Sequence, residues 1–364
     1  MKETHRKYFW SFARWLAGIA IGFLALQALN GDKGELTEAF QYLSHPNIAY
    51  LLLAICLEIM SVVSYSYLQL RLLKSANVEV SPLWMSMVSF AALTISSSLP
   101  AGPAFSFVYI FRQYKRKGAD DIIAGWTLFA TFAFTAMALA CLAAAGALIA
   151  YGESSSYDLL YVIGIIFLIV TTLFVLFWQR TYVFKLILYV LKLSFRIGRR
   201  PGKDPTVAVE KIKQRITAIP LTGESLAYKA IFAFGNWLFD CACLALAFLS
   251  VGASIPWRGL LLAYGAGQLA QNLPITPGGL GVTEGSLTVA IVAFGGAETT
   301  TVAAVLLYRI ISFWGYIPLG WLDYLILRFL ESKKGNTKLA DTRKSRPALH
   351  MSADIEEMVK DCAS

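Results

Sequence analysis

The stretch Ser96-Ser97-Ser98-Leu99-Pro100-Ala101-Gly102-Pro103 interrupts an apolar run that extends from Leu83 to Phe111. Two prolines and a glycine so close together do not continue a helix. Proline lacks the N–H that an interior turn needs, and its ring strikes the carbonyl one turn back. The flanks decide where this break sits. Arg71 and Lys74 precede the run, and Arg112, Lys115, Arg116 and Lys117 follow it. Cationic loops mark the cytoplasmic face of a membrane protein, so both ends of the run lie on that face. A chain that enters an apolar layer and returns to the side it left is a re-entrant hairpin. Backbone broken at that depth is stable only where protein or a wet cavity covers it.

Outward from this hairpin the chain has the composition of a membrane protein. Apolar residues make up 57% of 364 and charged residues 15%, with a mean hydropathy of +0.58, against roughly half and a quarter in soluble domains. Stretches of about 20 apolar residues, enough to cross ~30 Å of hydrocarbon, recur. Full spans are expected at about 8–29, 48–70, 121–150, 159–178, 230–251 and 299–327. The first resembles a signal peptide, but no small-x-small cleavage site follows it, so it is expected to remain as a span. Residues 180–229 carry eleven cations and form the largest cytoplasmic segment. Within it Lys185, Lys192 and Arg196 share one face of 182–197, which suits an amphipathic helix lying on an anionic lipid surface. The alternative, a further full span there, inverts everything after it. Val207–Ile219 reads as a short solvated helix with Ile212, Ile216 and Ile219 on one stripe.

Charge supports the arrangement. Of 32 Lys and Arg, 29 fall at the N-terminus, in cytoplasmic segments or in the tail, Lys33 and Arg258 fall outside, and Arg309 lies within the last span. Both termini are then cytoplasmic, and a second broken unit must open outward. That unit is Leu260–Pro274, a break at Ile275-Thr276-Pro277-Gly278-Gly279-Leu280-Gly281, and apolar Leu287–Phe294. Each half has the same order: a span with one acid at mid-depth (Glu58, Asp240), a hairpin broken at Leu-Pro (Leu99-Pro100, Leu273-Pro274), then another span. The expected fold is an all-α polytopic membrane protein, with six full transmembrane helices and two re-entrant helical hairpins in inverted-topology repeats. Such repeats are a recurrent plan of secondary transporters, with the site at the midplane. The repeats span about 48–150 and 226–330 within one membrane domain, 1–330. The linker is 179–225, and 331–364 is a charged tail expected to be disordered.

Candidate site residues follow from depth and backbone. Gly278, Gly279 and Gly281 permit conformations barred to other residues, and with Pro274, Thr276 and Pro277 they place a helix start inside the membrane. Free N–H groups and the positive end of the helix dipole there suit a phosphate or carboxylate. The bland alternative is a tip that only packs tightly. Glu58, Asp240, Glu284 and Arg309 lie in apolar segments, where each costs on the order of 2.5–3.5 kcal/mol. Arg309 is expected to pair with Glu284 or Asp240, or to bind lipid phosphate. Pro100 and Gly102 form the first break, and Tyr109 and Arg112 lie toward its cytoplasmic mouth, where both also suit interfacial anchoring. Other chemistry is poorly supplied. His5, His45 and His350 lie outside the spans. Cys241 and Cys243 point about 200° apart on a helix and cannot hold one metal. No nucleophile–base pair, metal cluster, cofactor motif or nucleic-acid motif is evident, so neither an enzyme nor a cofactor is expected.

The segment Asn272-Leu273-Pro274-Ile275-Thr276-Pro277-Gly278-Gly279-Leu280-Gly281-Val282-Thr283-Glu284 resembles the signature of the lysylphosphatidylglycerol synthase transmembrane-region family, the membrane half of the multiple peptide resistance factor. Ser98-Leu99-Pro100-Ala101-Gly102-Pro103 and the span of Arg309 resemble its first hairpin and last helix, so the likeness covers most of 10–330. The first hairpin departs from the commoner pattern, having Pro103-Ala104-Phe105 where a polar or charged residue follows the glycine. The resemblance implies a flippase for polar or aminoacylated phospholipid in the cell membrane. In that family aminoacyl transfer belongs to a separate cytosolic domain, which the residues after the last span do not supply. The phospholipid is the expected partner, and a homodimer is among the assemblies this plan allows. Alternatives are a membrane enzyme or assembly partner for a lipid-linked substrate, and a secondary small-solute transporter.

Overall fold

Asn47 starts the first long helix of the computed structural model, which describes residues 41–99, 101–151, 210, 212, 214–216, 219, 223–271 and 277–345. Its side-chain oxygen accepts hydrogen bonds from the N–H groups of Ala49 (3.1 Å) and Tyr50 (3.5 Å). Those donors have no partner inside a helix, and α1 (Ile48–Ser75) follows. Ser81 caps α2 (Pro82–Ser98) in the same way, accepting from the N–H of Trp84 at 3.3 Å. The helix ends at the expected break, and α3 (Gly102–Arg116) begins after Ala101, whose φ of 56° is left-handed. Gly102 is required at this turn, because a Cβ there would stand 1.9 Å from the carbonyl oxygen of Ser96. α4 (Asp121–Tyr151) completes the first half.

The second half repeats the order with α5 (Gly223–Ser250), α6 (Trp257–Gln271), a single 3-10 turn at Pro277–Gly279, and α7 (Val282–Ala293). α8 (Glu298–Arg309) continues through a π-turn at Ile310–Trp314 into α9 (Tyr316–Ser345). No strand occurs among the described residues. Four helices there are long and apolar enough to cross a membrane: Ile48–Ser75, Asp121–Ala150, Glu224–Ser250 and Glu298–Lys333. They coincide with four of the six expected spans. The spans at 8–29 and 159–178, and the amphipathic segment 182–197, lie outside the described residues.

Three boundaries differ from the sequence pattern. α5 starts at Gly223 and not near Ala230, with Glu224 in its first turn, where an acid complements the helix dipole. Lys229, expected in a loop, is therefore inside the helix at 1% exposure and donates to Ser225 Oγ at 2.6 Å. The segment near 210–219 is docked and not fully solvated: Ile219 is buried with Leu68, Leu72 and Trp126, and Ile216 packs beside them. α9 runs to Ser345, into the segment assigned to the tail, and Glu331 there pairs with Arg116.

Helix α1 lies against α5 over much of its length. The partners run in opposite order: Asn47 N–H donates to Ser250 O (2.7 Å), Ser61 Oγ to Asn236 O (2.8 Å), and Ser64 Oγ to Phe232 O (3.1 Å). The two helices that occupy equivalent places in the two halves are thus antiparallel. The remaining packing repeats when the halves are exchanged. α2 packs on α3 and crosses α9, while α6 packs on α7 and crosses α4. Each crossing is close because one helix offers a glycine, as is common between helices in lipid. A Cβ at Gly146 of α4 would stand 2.6 Å from the Leu262 nitrogen of α6. One at Gly320 of α9 would stand 2.0 Å from Thr94 Oγ1 and 2.3 Å from Phe90 O of α2. Gly320→Val is therefore expected to destabilise the bundle by about 1–3 kcal/mol through overpacking. Gly125→Ala, with nothing within 4 Å of the new methyl, is expected to leave thermal unfolding in detergent unchanged or slightly raised. Equal unfolding of the two variants would show that the α2–α9 crossing is looser than described.

Candidate functional site

A cavity of about 740 Å³ opens between α1, α4, α5, α6 and the Arg309 region of α8, within the size range of small-molecule sites. Its wall is divided. α4 supplies apolar surface, with Phe132, Ala136, Leu139, Ala140 and Ala143. Phe132 and Leu269, at the rim, are 66% and 62% exposed on the outside of the bundle. The opposite wall carries Glu58 from α1 and Asp240 from α5. They are brought together because the antiparallel α1–α5 pairing crosses near their positions.

Asp240 is held by three donors. Tyr264 Oη (2.7 Å) and Gln268 Nε2 (3.1 Å) donate to Oδ2, and Tyr308 Oη (2.8 Å) donates to Oδ1. Gln268 Nε2 also lies 3.2 Å from Tyr308 Oη. The Asp240 carboxyl is within hydrogen-bonding reach of the Glu58 carboxyl. Glu58 is 9% exposed, and its Oε2 is buried with no hydrogen-bond partner. Ser61, Asn236 and Trp237 complete this wall, Trp237 Nε1 being fixed by a bond to Thr135 O at 2.8 Å.

Arg309, 3% exposed, belongs to a second network beside the first. Its Nε donates to Glu284 Oε1 at 2.7 Å, its Nη2 donates to Gly278 O at 3.2 Å, and its guanidinium lies 4.5 Å from the centre of the Phe313 ring. Glu284 Oε2 in turn accepts the N–H of Gly281, the residue before α7, at 2.7 Å. The partner left open by the sequence is thus Glu284. This arrangement bears on the anion site expected at the start of α7. One of its N–H groups is already taken by the chain's own carboxylate, and two of the arginine's nitrogens are committed. A buried arginine and glutamate satisfy each other and the broken backbone together, which either alone leaves charged and unpaired. With this pair neutral overall, Glu58 and Asp240 set the charge of the cavity.

The two breaks meet. Gly278, at φ 62°, lies so close to Phe313 that a Cβ would stand 2.4 Å from its ring and 3.5 Å from the carbonyl of Ser97, near the end of α2. Gly279 and Gly281 also have positive φ, 70° and 79°. The 3-10 turn includes the backbone of Pro277, while Pro100, Pro274 and Thr276 lie outside the described residues. Of the other candidates, Glu58, Asp240 and Arg309 line the cavity. Glu284, Gly278 and Gly281 stand behind Arg309, Gly102 only packs its own turn, and Tyr109 and Arg112 are elsewhere on α3. Tyr109 packs near Tyr324, ring centres 5.7 Å apart, and Arg112 is exposed. Sequence reasoning missed Tyr264, Gln268 and Tyr308. Their signal is periodic: 264 and 268 lie one turn apart on α6, and Tyr308 precedes Arg309.

A UPF0104 membrane protein of Pyrococcus horikoshii is 24% identical to this chain over 289 residues, covering 74% of the chain and 84% of the relative. A UPF0104 membrane protein of Methanothermobacter thermautotrophicus is 28% identical over 134 residues, 34% of the chain and 40% of the relative. Residues 15–320 match the family described as the lysylphosphatidylglycerol synthase TM region, so with its apolar helices and its broken pairs in the expected places, the chain belongs to that family of multi-pass membrane proteins.

Proposed function

We propose that this protein is a lipid transporter that moves a polar phospholipid bearing an amine head group between the leaflets of the cell membrane. The observation that carries this is the divided cavity. Two acids occupy one wall, and the opposite wall is apolar out to lipid-facing Phe132 and Leu269. A head group with an ammonium is attracted to Glu58 and Asp240, and acyl chains stay against α4 and in the surrounding lipid. A small polar solute has no use for the apolar half, and a neutral or anionic head group meets unfavourable charge. The proposal assigns the chain no reaction.

In this proposal both broken pairs are re-entrant, α2–α3 opening to the cytoplasm and α6–α7 to the outside, and the halves are inverted repeats. The antiparallel α1–α5 pair and the exchange of contacts between halves support that plan. Orientation rests on charge. Arg71, Lys74, Lys115, Arg116 and Arg215 gather at one end of the bundle with Asp120, Asp121 and Glu331, which supports a cytoplasmic position for that end, and the proposal puts both termini on the same side. Movement of one half against the other exposes the cavity to each leaflet in turn, with the meeting of Gly278 and the end of α2 as the contact that must change.

The test uses purified protein in liposomes and fluorescent lysyl-phosphatidylglycerol, with chemical quenching of the outer leaflet reporting transfer. Transfer is expected to exceed that in protein-free vesicles and to exceed that of labelled phosphatidylglycerol. Glu58→Gln is expected to slow it roughly tenfold, the effect of about 1.4 kcal/mol. Equal transfer with and without protein overturns the proposal, and a Glu58→Gln variant as fast as the parent removes the head-group role of this wall.

A further inference from the structure

We infer that Glu58 and Asp240 together hold one exchangeable proton, and that an amine entering the cavity takes its place. Two carboxyls in contact in a low-dielectric site do not both stay charged. The hydrogen bonds say which one is neutral. Asp240 accepts from Tyr264, Gln268 and Tyr308, the environment of a carboxylate. Glu58 meets only the Cys243 thiol, a weak donor, and has an unpartnered buried oxygen. The proton therefore sits on Glu58, from where it can bridge to the Asp240 carboxylate.

The groups facing this pair come from five elements. α1 contributes Tyr65 to the cavity wall, α5 contributes Cys241 and Cys243, α6 contributes Tyr264, and α8 contributes Tyr308 and Arg309, with Tyr316 beyond the π-turn. α2 and α4 place no titratable side chain on the wall. Among the described residues Arg309 is the one cation on that wall, and it is committed to Glu284 and Gly278. No other group on the wall is suited to give up a proton at neutral pH, since tyrosines and thiols are weaker acids than a carboxylic acid.

The exchange balances. The protonated Glu58 loses its proton to cavity water, and the carboxylate left behind forms an ion pair with the incoming ammonium. Before exchange the pair carries a single negative charge. Afterwards two carboxylates and a head group of net charge +1, such as lysyl-phosphatidylglycerol with two ammonium groups and one phosphate, carry the same total. The charge inside the bundle is thus unchanged between the empty and loaded states, which spares either one the cost of an extra buried charge. Return of the empty cavity carries a proton in the opposite direction, so a proton gradient would drive the lipid. The exchange of amine rests on the translocation proposed above, whereas the proton site does not.

Infrared difference spectroscopy on the protein in phosphatidylglycerol vesicles tests both parts. At neutral pH the parent is expected to show the C=O band of a protonated carboxylic acid. The band should be absent in Glu58→Gln and shifted in Asp240→Asn, where an amide replaces the carboxylate as its acceptor. Lysyl-phosphatidylglycerol is expected to bleach the band and release about one proton per chain to a pH dye, and phosphatidylglycerol is expected to do neither. The proton site is overturned if the parent lacks the band, or if the band persists in Glu58→Gln or stays at the parent frequency in Asp240→Asn. The exchange is overturned if the amine lipid leaves the band in place. If the band bleaches but lipid does not cross vesicles, the translocation proposal fails and the proton site stands. If lipid crosses while the band is untouched, the translocation proposal and the proton site both stand and the exchange fails.

Discussion

Arg309→Met is expected to lower the stability of the folded protein by about 3–5 kcal/mol, the usual consequence of leaving one partner of a buried ion pair alone. Arg309 and Glu284 have side chains only 3% and 11% exposed and lie 2.7 Å apart. Removing the cation strands a carboxylate and withdraws the donor to Gly278 O. The carbonyl matters because Gly278 is part of the turn that touches Phe313 and Ser97. The pair therefore serves as the clasp that holds the second break against the first. The control is the double variant Arg309→Met with Glu284→Gln. It removes both charges and keeps a side chain able to reach the Gly281 N–H, so it is expected to regain most of the lost stability. Thermal unfolding of the four proteins in one detergent gives the coupling between the two sites. If the double variant is as unstable as the sum of the singles, Arg309 acts independently of Glu284, for instance on a ligand, and the clasp does not exist. If the single variant unfolds like the parent, the site is wetter than its burial implies.

Much of this architecture was legible because lipid allows few solutions. Prolines and glycines at 100–103 and 274–281 break helices wherever they occur, so the two interruptions could be read directly. Apolar length gave the four described spans, although α5 begins well before the expected Ala230 and α9 runs well past Leu327. The π-turn after Arg309 was not read. Its signal is Gly315-Tyr316-Ile317-Pro318, since Pro318 has no N–H for the carbonyl one turn back and the helix widens, Gly315 N–H reaching Ile310 O at 2.7 Å. Hydropathy averages over such a feature. Buried Lys229 was misplaced for a related reason: a lone lysine looks like a loop residue until Ser225, one turn away, is recognised as its partner. The pairing of Glu58 with Asp240 could be anticipated only as two acids at similar depth. That they touch depends on the rotation of α1 against α5, which is set by Ser61 and Ser64 reaching backbone carbonyls. The three donors to Asp240 come from helices remote in sequence, and a single sequence does not reveal such convergence.

Asp240→Ala is the second large effect, and it separates the folding role of this residue from its transport role. Removal of the carboxylate leaves Tyr264, Gln268 and Tyr308 without their acceptor. The latter two line the cavity and can turn to water. Tyr264 is fully buried and does not line it, so its hydroxyl is left with nothing, at about 1–3 kcal/mol. Adding Tyr264→Phe to Asp240→Ala is accordingly expected to restore stability while leaving transport abolished. The hydroxyl was buried only to hold the acid, whereas the acid itself meets the head group. Asp240→Asn should fold nearly as well as the parent, because the amide oxygen still accepts, yet it should move lysyl-phosphatidylglycerol no faster than phosphatidylglycerol. Unfolding temperature and vesicle transfer, measured on the same four preparations, are expected to respond independently. Transport that returned together with stability in the double variant would make Asp240 a packing residue, and the acidic wall would lose its claim on an amine.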